Sequence, residues 1–130
     1  MKILSARIHG YLDIAVIAAL VLAPTLLGFG GRAASLCYVL AGLHAALTAL
    51  TAYPLGWLKV IPFPVHGGLE AVMAPALIAA PWLVGFARVP TARVFFVAAG
   101  VALAVVWLIT DYKSTVPGAH DELHGGHVAT

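Results

Sequence analysis

His9 and Asp13 stand four residues apart, and so do His66 and Glu70. On a helix, that spacing places both side chains of a pair on one face, about one turn apart. An imidazole and a carboxylate held this way can share a proton, or each can offer a lone pair to a divalent cation. Asp13 and Glu70 are the only acidic residues well inside the long apolar segments. A carboxylate there costs roughly 3 kcal/mol on insertion scales, which makes it a functional candidate by default. Two imidazoles with two carboxylates suit zinc, iron or manganese. The candidate metal ligands are therefore His9, Asp13, His66 and Glu70, with His44 able to orient or complete the set.

Other chemistries use the same residues. In a purely structural reading, each histidine bonds its own i+4 carboxylate at a helix entrance, where acids gain from the macrodipole. That reading expects the two pairs to face away from each other or toward water. His and carboxylate chains can also relay protons or ions. A b-type haem held by His9 and His66, with His44 as a further axial candidate, is a third option. Two carboxylates one turn away suit haem less well. The chain is not read as an enzyme, since it has no nucleophile-elbow serine, phosphate-cradling glycine loop or HExxH. The stretch His120-Asp121-Glu122-Leu123-His124-Gly125-Gly126-His127 could bind a metal weakly, but reads first as a solvated terminus.

The elements that must position these groups follow from composition. Of 130 residues, 62% are hydrophobic and 9% charged, against about 25% charged in an ordinary soluble domain. Such a chain cannot cover a water-facing surface, and a bilayer is its natural solvent. A net charge of +2 without a basic run gives no support for a nucleic-acid partner. Cys37 is the sole cysteine, so it forms no internal disulfide and reads as a packed thiol.

A helix needs about 20 apolar residues to span the hydrocarbon. Residues 8–29, 33–53, 65–86 and 92–112 meet that length. The breaks carry turn and charge signals: Gly30-Gly31-Arg32, then Pro54 to Pro64, then Arg88-Val89-Pro90. The first and third are short enough to make their flanking helices antiparallel neighbours. The alternating ten-residue strands of a membrane barrel are absent from the pattern. Lys2 and Arg7 precede the first apolar run as in an export signal, but the run is long and no convincing cleavage site follows.

An internal repeat organises the whole. HGYLDIAVIAALVLAPTLLGF at residues 9–29 lies over HGGLEAVMAPALIAAPWLVGF at residues 66–86. Shared apolar composition explains aligned Ala and Leu; it does not explain aligned His, carboxylate, Ala-Pro and Gly-Phe. The second spans align more loosely, with Gly42 over Gly100, Thr51 and Tyr53 over Thr110 and Tyr112, and Ala102 opposite His44. Ala23-Pro24-Thr25 and Ala80-Pro81-Trp82, each followed by Gly-Phe, resemble the signature of the SPW repeat family of small bacterial membrane proteins. Both copies carry Ala in place of Ser, and the first also lacks the Trp. The stretch Val60-Ile61-Pro62 with Val65-His66 adds to the likeness, which covers roughly residues 8–112. The resemblance implies an architecture and a bacterial inner (cell) membrane; it implies no activity.

The expected fold is therefore all-α, a four-transmembrane-helix bundle of two tandem two-helix repeats, residues 8–53 and 65–112. Each unit has an even number of spans, so the halves should be related by a pseudo-two-fold axis along the membrane normal, a parallel repeat. Residues 1–112 form one transmembrane domain, and residues 113–130 a flexible His-containing tail. If the first and third helices face each other, both His/acid pairs converge at one depth. Pro24, Pro75 and Pro81 should bend their helices. Gly10, Gly42, Gly67, Gly68 and Gly100 should let helices approach closely. Lys2, Arg7, Lys59 and Lys113 against Arg32, Arg88 and Arg93 lean toward both termini being cytoplasmic. The expected partners are the lipid bilayer and a second copy or a larger membrane complex, in which the chain would serve as an accessory subunit.

Overall fold

Four runs of the chain close into helices, and most of their boundaries have a local cause. In the computed structural model, which describes residues 2–113, they are α1 (Ala6–Leu27), α2 (Gly31–Leu50), α3 (Phe63–Leu83) and α4 (Pro90–Ile109). The tail histidines His120, His124 and His127 lie outside the described residues. Ser5 starts α1 by accepting a hydrogen bond from the Ile8 amide at 3.4 Å, the usual service of an N-cap. Gly28 stops it in the left-handed conformation, at φ 68°. α3 and α4 both open with a proline in the first turn, where the missing N–H costs nothing.

All four helices are long and apolar enough to cross a membrane. Their outward faces carry Leu26, Leu43, Val72 and Leu83, the last 80% exposed. Such a surface is unfavourable in water and ordinary in lipid. Their inward faces are built from small and aromatic groups, including Ala33, Cys37, Ala74, Ala92 and Phe96. α1 packs along α2, and α3 along α4, as the short breaks between them require.

Glycine makes one of these approaches possible. A Cβ on Gly100 would stand 2.6 Å from Ile78 and 2.7 Å from the Ala74 carbonyl of the neighbouring helix. Gly42 and Gly68 differ from expectation: a Cβ at either would meet nothing within 4 Å. They lie on open faces and bring no helices together. Pro24, Pro75 and Pro81 do fall inside helices.

The second and fourth helices also end earlier than their hydropathy suggests. They stop at Leu50 and Ile109, and Thr51 and Thr110 are extended, with ψ of 139° and 137°. Backbone pairing is the reason. Thr51–Ala52 (β1) pairs in parallel with Ile61–Pro62 (β2), and Leu4 bridges in parallel to Thr110. Each threonine hydroxyl also donates to the carbonyl four residues back, Thr51 to Leu47 and Thr110 to Val106, both at 2.6 Å. These bonds occupy carbonyls left over at a helix end. They also turn the residues that follow inward, toward the polar groups of α1 and α3.

Candidate metal centre

His9 and Asp13 project from α1, and His66 and Glu70 from α3. All four are buried, at 0–2% exposure. The pairs do not face apart. Each histidine reaches its own i+4 carboxylate and also that of the other hairpin. His9 Nε2 lies 3.3 Å from Asp13 Oδ1 and 3.2 Å from Glu70 Oε2. His66 Nε2 lies 3.5 Å from Glu70 Oε1 and 3.6 Å from Asp13 Oδ2. The result is a closed ring in which nitrogen and carboxylate alternate. One donor atom from each residue lies within 4.8 Å of all the others, so the group could hold a metal ion.

The outer nitrogens fix which way the protons point. His9 Nδ1 lies 2.9 Å from Thr110 Oγ1, and His66 Nδ1 lies 2.8 Å from Thr51 Oγ1. A hydroxyl has a single proton, and each of these is already given to a backbone carbonyl. Each histidine must therefore donate its Nδ1–H to the threonine. A neutral imidazole then turns its Nε2 lone pair into the ring. Neither Nε2 has a hydrogen bond among the described residues, despite the nearby carboxylate oxygens, and neither has Glu70 Oε1. Lone pairs facing lone pairs in a dry interior require positive charge between them, as a proton or as a metal ion. Donation of the outer N–H to an oxygen is also how metal-bound histidines are commonly oriented.

Two tyrosines complete the shell. Tyr53 donates to Asp13 Oδ2 and Tyr112 to Glu70 Oε2, each at 2.7 Å. Burial, then the adjacent carboxylates, push both phenols above their ordinary pKa, so they remain donors. Glycine makes room for their rings. A Cβ on Gly67 would stand 2.6 Å from the Tyr112 ring, and one on Gly10 would stand 2.9 Å from that of Tyr53. Over the ring of donors sits Phe63, 1% exposed, with ring centroids 5.4 Å from Tyr53 and 4.8 Å from Tyr112.

His44, from α2, meets the cluster at its edge. Its Nε2 lies 3.3 Å from Asp13 Oδ1, and the side chain is fully buried. It is not one of the four residues whose donor atoms converge. His9 and His66 stand side by side, ring centroids 5.4 Å apart, and share the same two carboxylates. That arrangement does not place them on opposite faces of a porphyrin.

Thr51, Thr110, Tyr53 and Tyr112 were legible in the sequence only as a repeated Thr-x-Tyr. Their role needed the fold, because each bonds a residue 15 to 101 positions away. Phe63 has no counterpart at the aligned position, which is Ala6. No protein-family model, curated protein or solved structure matches the chain.

Proposed function

We propose that this chain is a multi-pass membrane protein that binds one divalent transition-metal ion between its two hairpins. The observation that carries the reading is the inward-facing Nε2 of both histidines, each 3.2–3.6 Å from two carboxylate oxygens and bonded to none. Ligands at about 2.0–2.1 Å on a tetrahedral ion stand about 3.3 Å from one another. The histidine–carboxylate spacings of 3.2–3.6 Å are close to that edge length, and one donor atom from each residue lies within 4.8 Å of all the others. An ion of charge +2 would neutralise two carboxylates and give both lone pairs a partner. Zinc, iron and manganese all accept this donor set.

We further infer that the halves are related by a pseudo-two-fold axis along the membrane normal. Support comes from contacts that recur in pairs: Thr51 with Ile61 and Thr110 with Leu4, His66 with Thr51 and His9 with Thr110, Tyr53 with Asp13 and Tyr112 with Glu70. The Ala-Pro and Gly-Phe signatures support a place in the SPW repeat family, and with it a bacterial cell membrane. The excess of Lys and Arg on the side of the termini supports a cytoplasmic location for both.

Elemental analysis of purified protein tests the metal reading. After exposure to zinc, iron or manganese salts, wild type should retain close to one ion per chain, and the double variant His9→Ala/His66→Ala should retain none. Wild type that holds no ion above background, or a double variant that holds as much as wild type, would overturn the reading.

A further inference from the structure

Two sides of the cluster are closed differently. Phe63, Tyr53 and Tyr112 cover it at the end of the bundle, and His44 fills the space beside it on the α2 side. A groove of about 190 Å³ between α2 and α3, lined by Leu36, Leu40, Met73 and Leu77, does not include the cluster residues. Between α1 and α4 the situation is reversed. A cavity of about 370 Å³ runs along Val16, Leu20, Phe95, Ala98 and Ala102 and includes Asp13 and Glu70 in its lining. The residue aligned with His44 is Ala102. An imidazole stands on one side of the bundle where a methyl group stands on the other, and that methyl group, Ala102, lines the cavity.

The cavity opens through exposed residues of α1 and α4, among them Ala15, Ala98 and Ala102. Those faces belong to membrane-spanning helices, so its mouth meets lipid hydrocarbon. Its walls are apolar apart from the two carboxylates. Glu70 is fully buried, and its Oε1 has no hydrogen-bond partner among the described residues. An occupant that suits this lining is apolar along its length and carries, at one end, a hydrogen-bond donor for the carboxylates. The small side chains along the α4 wall, Ala98, Ala99 and Ala102 beside Phe95, favour a flat ring over a branched chain. The volume lies at the low end of the about 300–1,000 Å³ typical of small-molecule sites.

We infer that this cavity admits, from within the bilayer, a membrane-dissolved aromatic molecule bearing a hydroxyl, with the hydroxyl donating to Glu70. The inference goes beyond metal binding and stands without it. A carboxylate oxygen that ligates an ion keeps a second lone pair for the hydroxyl.

The full chain in lipid nanodiscs, with radiolabelled 1-naphthol as probe and empty nanodiscs as blank, provides the test. Saturable binding near one per chain is expected, with naphthalene at least tenfold weaker than unlabelled 1-naphthol as a competitor. Ala102→Phe, which fills the cavity, should weaken binding at least tenfold. Ala98→Leu, a smaller change at the mouth, should weaken it severalfold and serves if the first variant does not fold. Binding no greater than to empty nanodiscs, equal competition by naphthalene, or undiminished binding by a folded cavity-filling variant would each overturn the inference. Metal content measured on the same samples separates this outcome from failure of the metal reading.

Discussion

His9 Nε2 lies as close to Glu70 of the other hairpin, at 3.2 Å, as to Asp13 on its own helix, at 3.3 Å. The i, i+4 spacing guarantees only the second contact. The first ties α1 to α3 through groups that each cost roughly 3 kcal/mol to bring into the hydrocarbon. A charge-balanced centre shared by the two hairpins offsets that cost; four separate polar groups would not.

The threonines should matter through the histidines. Thr51→Val and Thr110→Val keep the shape and remove the acceptor for His66 Nδ1–H and His9 Nδ1–H. Loss of such an outer partner typically lowers metal affinity about 10–100-fold. Titration against a competing chelator should show that loss for each valine variant and near-wild-type affinity for Thr51→Ser. Equal affinity for the valine variants would show that the Nδ1 contacts do not orient the ligands.

Tyr53→Phe and Tyr112→Phe each delete one hydrogen bond to a buried carboxylate. Bonds of this kind contribute about 1.5–3 kcal/mol. Both variants should unfold more readily in detergent titrations, by about that amount.

The same phenols set an alkaline limit. Their pKa values are raised in the folded protein by burial and by the carboxylates, so the folded state holds their protons at a pH where the unfolded chain releases them. The stability they contribute is complete below the unfolded value of about 10 and declines as pH climbs past it toward the folded values. Unfolding measured across alkaline pH should show this decline in wild type and a shallower one in the double phenylalanine variant. Identical slopes would remove the tyrosines from the explanation.

Adjacent glycines should behave in opposite ways. Gly67→Ala drives a methyl group against the Tyr112 ring and should destabilise by about 1–3 kcal/mol, the usual cost of overpacking. Gly68→Ala meets nothing within 4 Å and should be neutral or stabilising by up to about 1 kcal/mol, the helix preference of Ala over Gly. Thermal unfolding of the two single variants makes the comparison, and a similar cost at both sites would contradict the packing around Tyr112.

His44 should tune the site without holding the ion. It bonds Asp13 at 3.3 Å and lies outside the convergent set. His44→Gln should weaken metal binding by about tenfold, the low end of the range for an outer partner, and leave stoichiometry at one ion. Complete loss of metal would instead make His44 a ligand.

Local pattern in the chain was enough for the spans, the hairpins and the four donors. Apolar run length, turn residues and the i, i+4 rule each depend on neighbours in sequence, so His9, Asp13, His66 and Glu70 could be named together. The sequence also offered Thr-x-Tyr twice, without a use for it. Whether the two pairs face each other or lipid depends on how α1 and α3 are rotated, which run length and i, i+4 spacing do not specify. Only the tertiary structure decided that. It also ended α2 and α4 early, because strand pairing between Thr51 and Ile61 and a bridge between Thr110 and Leu4 compete with the last helical turn. Those pairings join residues far apart in the chain, beyond the reach of hydropathy. They bring Thr51, Thr110, Tyr53 and Tyr112 onto the cluster and leave the space beside Ala102 open.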